Sequence, residues 1–105
     1  MTTIEPFALK KMIDDGADIA LIDVREFYEH AQYNIGGILI PLRNILQHIG
    51  KIPKNKPVVL YCSKGLRSAI AIDKILSKDK QYTNLINLNG GLYSWKYYLY
   101  GNTDL

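Results

Sequence analysis

Cys62 is the single cysteine of the chain, and it sits where the apolar run VVLY, Val58–Tyr61, gives way to the polar loop CSKGL. Thiolate is the nucleophilic form of cysteine, and it is favoured where backbone N–H groups, the positive end of a helix and nearby cations converge. The loop supplies all three. A strand ending at Tyr61, followed by a helix starting near Leu66 or Arg67, curls the N–H groups of Ser63, Lys64, Gly65, Leu66 and Arg67 around one point, a nest for an anion or a thiolate. Gly65 gives the curl a position without a Cβ. Lys64 and Arg67 bring positive charge, and Ser68 brings a hydroxyl able to donate or cap at the helix start. An inert thiol packed as a small hydrophobe would account for the apolar run, but not for the glycine, the two cations and the amphipathic helix that follow within about a dozen residues.

Other candidates carry less. Asp23 and Arg25 flank Val24 at the end of a second apolar run, with Glu29 one helical turn beyond. Such charges would serve either an active-site pair or a network that anchors neighbouring loops. His30 and His48 would matter as bases only within hydrogen-bond reach of Cys62, and nothing in the sequence places either there. With no second cysteine and no carboxylate cluster at ligand spacing, neither a metal nor another cofactor is expected. Gly90-Gly91 lacks the rest of either nucleotide fingerprint and reads as a tight strand-to-helix turn.

The elements that must position these residues alternate along the chain. Strands are expected at Ile19–Val24, Ile38–Ile40, Val58–Tyr61 and Leu85–Leu88, with a short edge strand at Thr2–Ile4; these are β-rich apolar runs of the kind covered on both faces. Helices are expected at Pro6–Asp15, Glu26–Gln32, Leu42–Ile49, Leu66–Lys78 and Leu92–Tyr100. In Leu66–Lys78 the stripe Ala69, Ile72, Ile75 and Leu76 can lie on a sheet. Strands alternating with helices imply parallel pairing through right-handed crossovers, an α/β fold with a mostly parallel sheet of four to five strands and helices on both faces. Ligand sites in such sheets lie at the carboxyl ends of the strands, and Cys62 stands at one.

At 105 residues, 48% apolar and 22% charged, one domain over residues 1–105 is expected. A net charge of +3, interspersed along the chain, is too small and scattered to argue for nucleic acid, though it biases towards small anions. No apolar run reaches the ~18 residues of a membrane span. MTTIEPFALKK has neither a basic nor an apolar signal region, so the reducing cytoplasm is the expected setting.

Four stretches, in order, resemble the rhodanese family of sulfurtransferases in its small single-domain form. DVREFYEH (Asp23–His30), IGGILIPL (Ile35–Leu42), YCSKGLRSA (Tyr61–Ala69) and LINLNGGLYSW (Leu85–Trp95) are similar to that family's acidic segment, strand approach, cysteine loop and closing strand with its tryptophan helix. The four residues between Cys62 and Arg67 match the short loop of sulfur-transferring members; related phosphatases carry five, a wider cradle for phosphate. The resemblance implies a persulfide on Cys62. It also implies a small anionic donor such as thiosulfate, and a thiol, cyanide or carrier protein as acceptor. Asp23, Arg25 and Glu29 become a supporting network, and Trp95 packs under or near the loop. Ser63 departs from the arginine often found after the cysteine, leaving Lys64 and Arg67 as the loop's cations. A non-catalytic binding module of the same fold, or an arsenate reductase or phosphatase of related fold, would be the alternatives.

Overall fold

The computed structural model describes residues 1–101; the last four positions of the expected domain, 102–105, lie outside the described residues. Five strands, β1 (Thr3–Ile4), β2 (Ala20–Asp23), β3 (Ile38–Leu39), β4 (Val58–Tyr61) and β5 (Leu85–Leu88), form one sheet in the order β1-β5-β4-β2-β3. Every pairing is parallel: Thr3 stands opposite Asn87, Val59 opposite Ile86, Leu21 opposite Val59, and Ile22 opposite Ile38. The helices are α1 (Pro6–Asp14), α2 (Phe27–Gln32), α3 (Leu66–Lys78) and α4 (Gly91–Tyr100).

β4 is buried at every position because it is central and covered on both sides. The two-residue period of a strand divides its side chains between two layers. Val58, Leu60 and Cys62 face a core shared with Ala71, Ile72 and Ile75 of α3. Val59 and Tyr61 face a second core with Leu9 of α1 and Leu92 and Trp95 of α4. Cys62 therefore continues the alternation of β4 and delivers its sulfur to the α3 side.

The expected helix over Leu42–Ile49 is not formed. Two single 3-10 turns, Leu42–Asn44 and Ile49–Lys51, are joined by a tight turn instead. The N–H groups of Ile45 and His48 bond three residues back, to Leu42 and Ile45. The Asn44 carbonyl, which an α-helix would offer to the His48 N–H, faces the His48 side chain, with Nδ1 at 3.1 Å. The tighter path brings Ile45 and Ile52 into the α3-side core, an irregular docking that helical periodicity does not foretell.

Candidate active site

The loop after β4 is shaped by the elements on either side of it. Gly65, at φ +95°, takes the left-handed conformation that lets the chain turn into α3. The Gly90-Gly91 turn holds the loop from the opposite side: the N–H groups of Leu92 and Tyr93 donate to the carbonyls of Cys62 (2.9 Å) and Ser63 (2.8 Å). A Cβ on Gly91 would lie 2.5 Å from the Cys62 oxygen, so the close approach requires glycine. With those two carbonyls drawn towards α4, N–H groups line the sulfur side.

The sulfur of Cys62 is buried, and two backbone donors reach it: Gly65 N–H at 3.1 Å and Ser68 N–H at 3.4 Å. Ser68 Oγ lies 3.4 Å away. Leu66 and Arg67 open α3, where N–H groups have no intrahelical acceptor and the helix end carries partial positive charge. The Leu66 side chain projects into solvent. The two backbone N–H groups and the helix end place the positive ends of fixed dipoles at the sulfur.

Arg67 and Glu29 form a paired unit. The guanidinium donates to both carboxylate oxygens, at 2.7 and 2.9 Å, and to Ser63 Oγ at 3.1 Å, while Ser63 Oγ stands 3.2 Å from Glu29. Glu29 also accepts from the Glu26 N–H in a reciprocal capping box at the start of α2. Hydrogen bonding from Arg67 holds the Glu29 carboxyl down at about 2, and Glu29 raises the Arg67 guanidinium further still. Arg67 thus ties α2 to the cysteine loop, and Ser63 completes the tie.

Asp23 and Arg25 belong to a separate cluster. The buried Asp23 carboxylate receives Arg25 Nε (3.0 Å), Arg25 Nη2 (2.9 Å) and the Arg25 N–H (3.0 Å), with His30 Nδ1 at 2.8 Å. Arg25 also donates to the Tyr33 carbonyl at 2.5 Å. The expected grouping of Glu29 with Asp23 and Arg25 is therefore divided in two, because Glu29 on α2 reaches across to Arg67, while Asp23 and Arg25 precede that helix and pair with each other. Trp95 lies in the layer opposite Cys62, where its indole donates to Tyr33 Oη at 3.1 Å. It anchors α4, whose first turn holds the loop. Lys64 lies with Nζ 5.7 Å from the Tyr93 ring centre. It lines a notch of about 110 Å³ together with Arg25, Ser63, Leu92, Tyr93 and Lys96.

Three participants escape the sequence reading. Asn87, a polar residue in the apolar run LINL, donates through Nδ2 to the Gly65 carbonyl (3.0 Å) and accepts from Ser68 Oγ (2.5 Å). Its only signal was that polarity. Tyr61 accepts N–H bonds from Gly37 (3.2 Å) and Ile35 (3.5 Å), and burial pushes its phenol up to about 12. Lys96 joins the notch from α4. Among the described residues no three His, Cys, Asp or Glu side chains are grouped to hold a metal ion, and no helix is long and apolar enough to cross a membrane.

Comparison with known proteins places this architecture. The family model "Rhodanese-like domain" matches residues 5–97. The chain belongs to the rhodanese-like domain family. It is 33% identical over 93 residues to a "Sulfurtransferase" from Allochromatium vinosum, covering 88% of this chain and 85% of that protein. It is 37% identical over 97 residues to "Probable adenylyltransferase/sulfurtransferase MoeZ" from Mycobacterium tuberculosis, covering 90% of this chain. The match spans only 24% of that longer protein. Among solved structures, a rhodanese-related protein from Thermoplasma volcanium superposes with a TM-score of 0.81 at 25% identity, covering 95% of each chain. The rhodanese-like fold thus agrees with the parallel α/β sheet expected from the sequence.

Proposed function

We propose that the protein is a sulfurtransferase that carries sulfur as a persulfide on Cys62. The observation that carries this reading is the convergence of the Gly65 and Ser68 N–H groups on a sulfur seated at the start of α3. The sulfurtransferase names of its relatives support the same chemistry. After Cys62 releases its proton to water, the thiolate attacks the outer sulfur of a donor such as thiosulfate. The new S–S bond forms as the old one breaks, and sulfite leaves with the bonding electron pair. A thiolate, cyanide or carrier-protein acceptor then attacks the outer sulfur and regenerates the Cys62 thiolate, a two-stage covalent scheme. The N–H groups of Leu66 and Arg67 extend the cradle to the outer sulfur. Lys64 and Lys96 at the notch draw in the anionic donor, while Arg67 acts through Glu29 and Ser63 to hold the loop in shape. A cytoplasmic setting, where the thiol stays reduced, suits this cycle.

Incubation with thiosulfate, or with another sulfane donor, should increase the intact mass by one sulfur, and Cys62→Ser should abolish the gain. No gain with any of several donors would leave a non-catalytic binding module as the better reading. An unchanged gain in Cys62→Ser would overturn the assignment of the sulfur to this residue.

A further inference from the structure

The hydrogen-bond directions around Cys62 follow from one acceptor. The Gly65 carbonyl can only accept, so the Asn87 amide nitrogen must face it, and does at 3.0 Å. The amide oxygen then faces Ser68, and because that oxygen only accepts, the Ser68 hydroxyl must donate its single hydrogen to it, across 2.5 Å. Ser68 Oγ has only lone pairs left for the sulfur 3.4 Å away. The resting thiol is then fully matched: it accepts from the Gly65 and Ser68 N–H groups and donates its S–H to Ser68 Oγ.

We infer that Asn87 is a positioning residue for the reactive cysteine: by claiming the Ser68 hydroxyl hydrogen, it makes Ser68 an acceptor towards sulfur and so favours the protonated thiol at rest. An Oγ lone pair facing Sγ opposes negative charge there, and turning the hydroxyl towards the sulfur would break its bond to Asn87. Once Cys62 carries a second sulfur, a step that rests on the function proposed above, Sγ has neither proton nor full charge. The opposition is gone, and the charge lies on the outer atom among the N–H groups of α3. The Asn87–Ser68 pair therefore distinguishes the free thiolate from the loaded persulfide.

Other charges lie on the elements packed around this loop. They are Arg67 of α3 held by Glu29 of α2, Lys64 of the loop, Lys96 of α4, and the cluster of Asp23 at the end of β2 with Arg25 and His30. The substitutions below change none of them.

The test is the rate of alkylation by iodoacetamide from pH 6 to 9, which needs no sulfur donor and so stands apart from the persulfide assay. Ser68→Ala removes the S–H acceptor and should speed alkylation at pH 7 by about fivefold, the worth of one ordinary hydrogen bond. Asn87→Leu frees the Ser68 hydroxyl to donate to the thiolate and should also speed it. In the Asn87→Leu background, Ser68→Ala should then slow the reaction, reversing its sign. The gains should fade towards high pH, where every variant is ionised, whereas a merely loosened loop would react faster at all pH values. Slower alkylation in Ser68→Ala than in the native protein, or the same effect of Ser68→Ala in both backgrounds, would overturn the inference. If Asn87→Leu fails to fold, the sign of the Ser68→Ala effect alone decides.

Discussion

Replacing Glu29 with glutamine removes one charge from the Glu29–Arg67–Ser63 tie while keeping an oxygen for the capping box of α2. The Glu29 carboxyl falls from 4.5 to about 2 on account of Arg67, which corresponds to at most roughly 3 kcal/mol of stabilisation. The carboxylate is 18% exposed and the guanidinium 34%, so solvent screening reduces this to about 1–2 kcal/mol. The sign follows from the depressed value. The contribution is fully present above about pH 4.5, declines as the pH falls, and is mostly gone near pH 2. Urea unfolding of native protein and Glu29→Gln at pH 7, 5, 3.5 and 2.5 measures it directly. The native protein should be more stable by about 1–2 kcal/mol at pH 7 and 5, with the gap closing at the two lower values. A gap that stays constant across the series, or is absent at pH 7, would show that the charge of Glu29 does not hold the loop to α2.

Gly91→Ala places a methyl group against the Cys62 and Ser63 backbone, 2.5–2.6 Å away, at a φ of +59°. It should cost about 2–5 kcal/mol in thermal or urea unfolding and reduce sulfur loading of Cys62 in the mass assay. Gly36→Ala, at φ +91° but with nothing within 4 Å, should cost only about 1 kcal/mol; equal costs would mean that steric contact with the loop is not the issue. Tyr61→Phe strips the acceptor from the buried Gly37 N–H and should destabilise by about 1–2 kcal/mol in urea unfolding. A neutral result would mean that this N–H finds another partner.

The sheet, α3, α4 and the position of Cys62 were legible because they are local signals: apolar runs end at glycine-bearing turns, and a strand end followed by a helix start fixes where an anion can sit. The end of β4 and the start of α3 fall where the residues placed them. Pairing across the fold was less accessible. Glu29 reads as one of a group with nearby Asp23 and Arg25, yet Arg67, 38 positions away, takes it, while Asp23 takes Arg25 and draws in His30. Where Glu29 points depends on the rotation of α2 about its own axis, and that is set by packing. Asn87 is a lone polar residue in the apolar run LINL, and its partners follow only from the strand order that puts β5 beside β4. The stretch after Pro41 has enough apolar residues for a helix, but burying Ile45 and Ile52 together favoured tighter turns.

The strand order has a consequence for when the chemistry becomes available. β2 and β4 can pair once Tyr61 has been made, but β5 lies between β4 and β1, so β1 waits for its neighbour until Leu88 has been made. The groups that shape the loop after Cys62 come from this late segment: Asn87 on β5, the close-fitting Gly91, and the N–H groups of Leu92 and Tyr93. A chain made only as far as α3 therefore lacks the contacts that hold the Cys62 loop from the β5 and α4 side. The loop takes its final shape only as β5 slots in beside β4, so the geometry around Cys62 and the long-range pairing of the sheet are completed together.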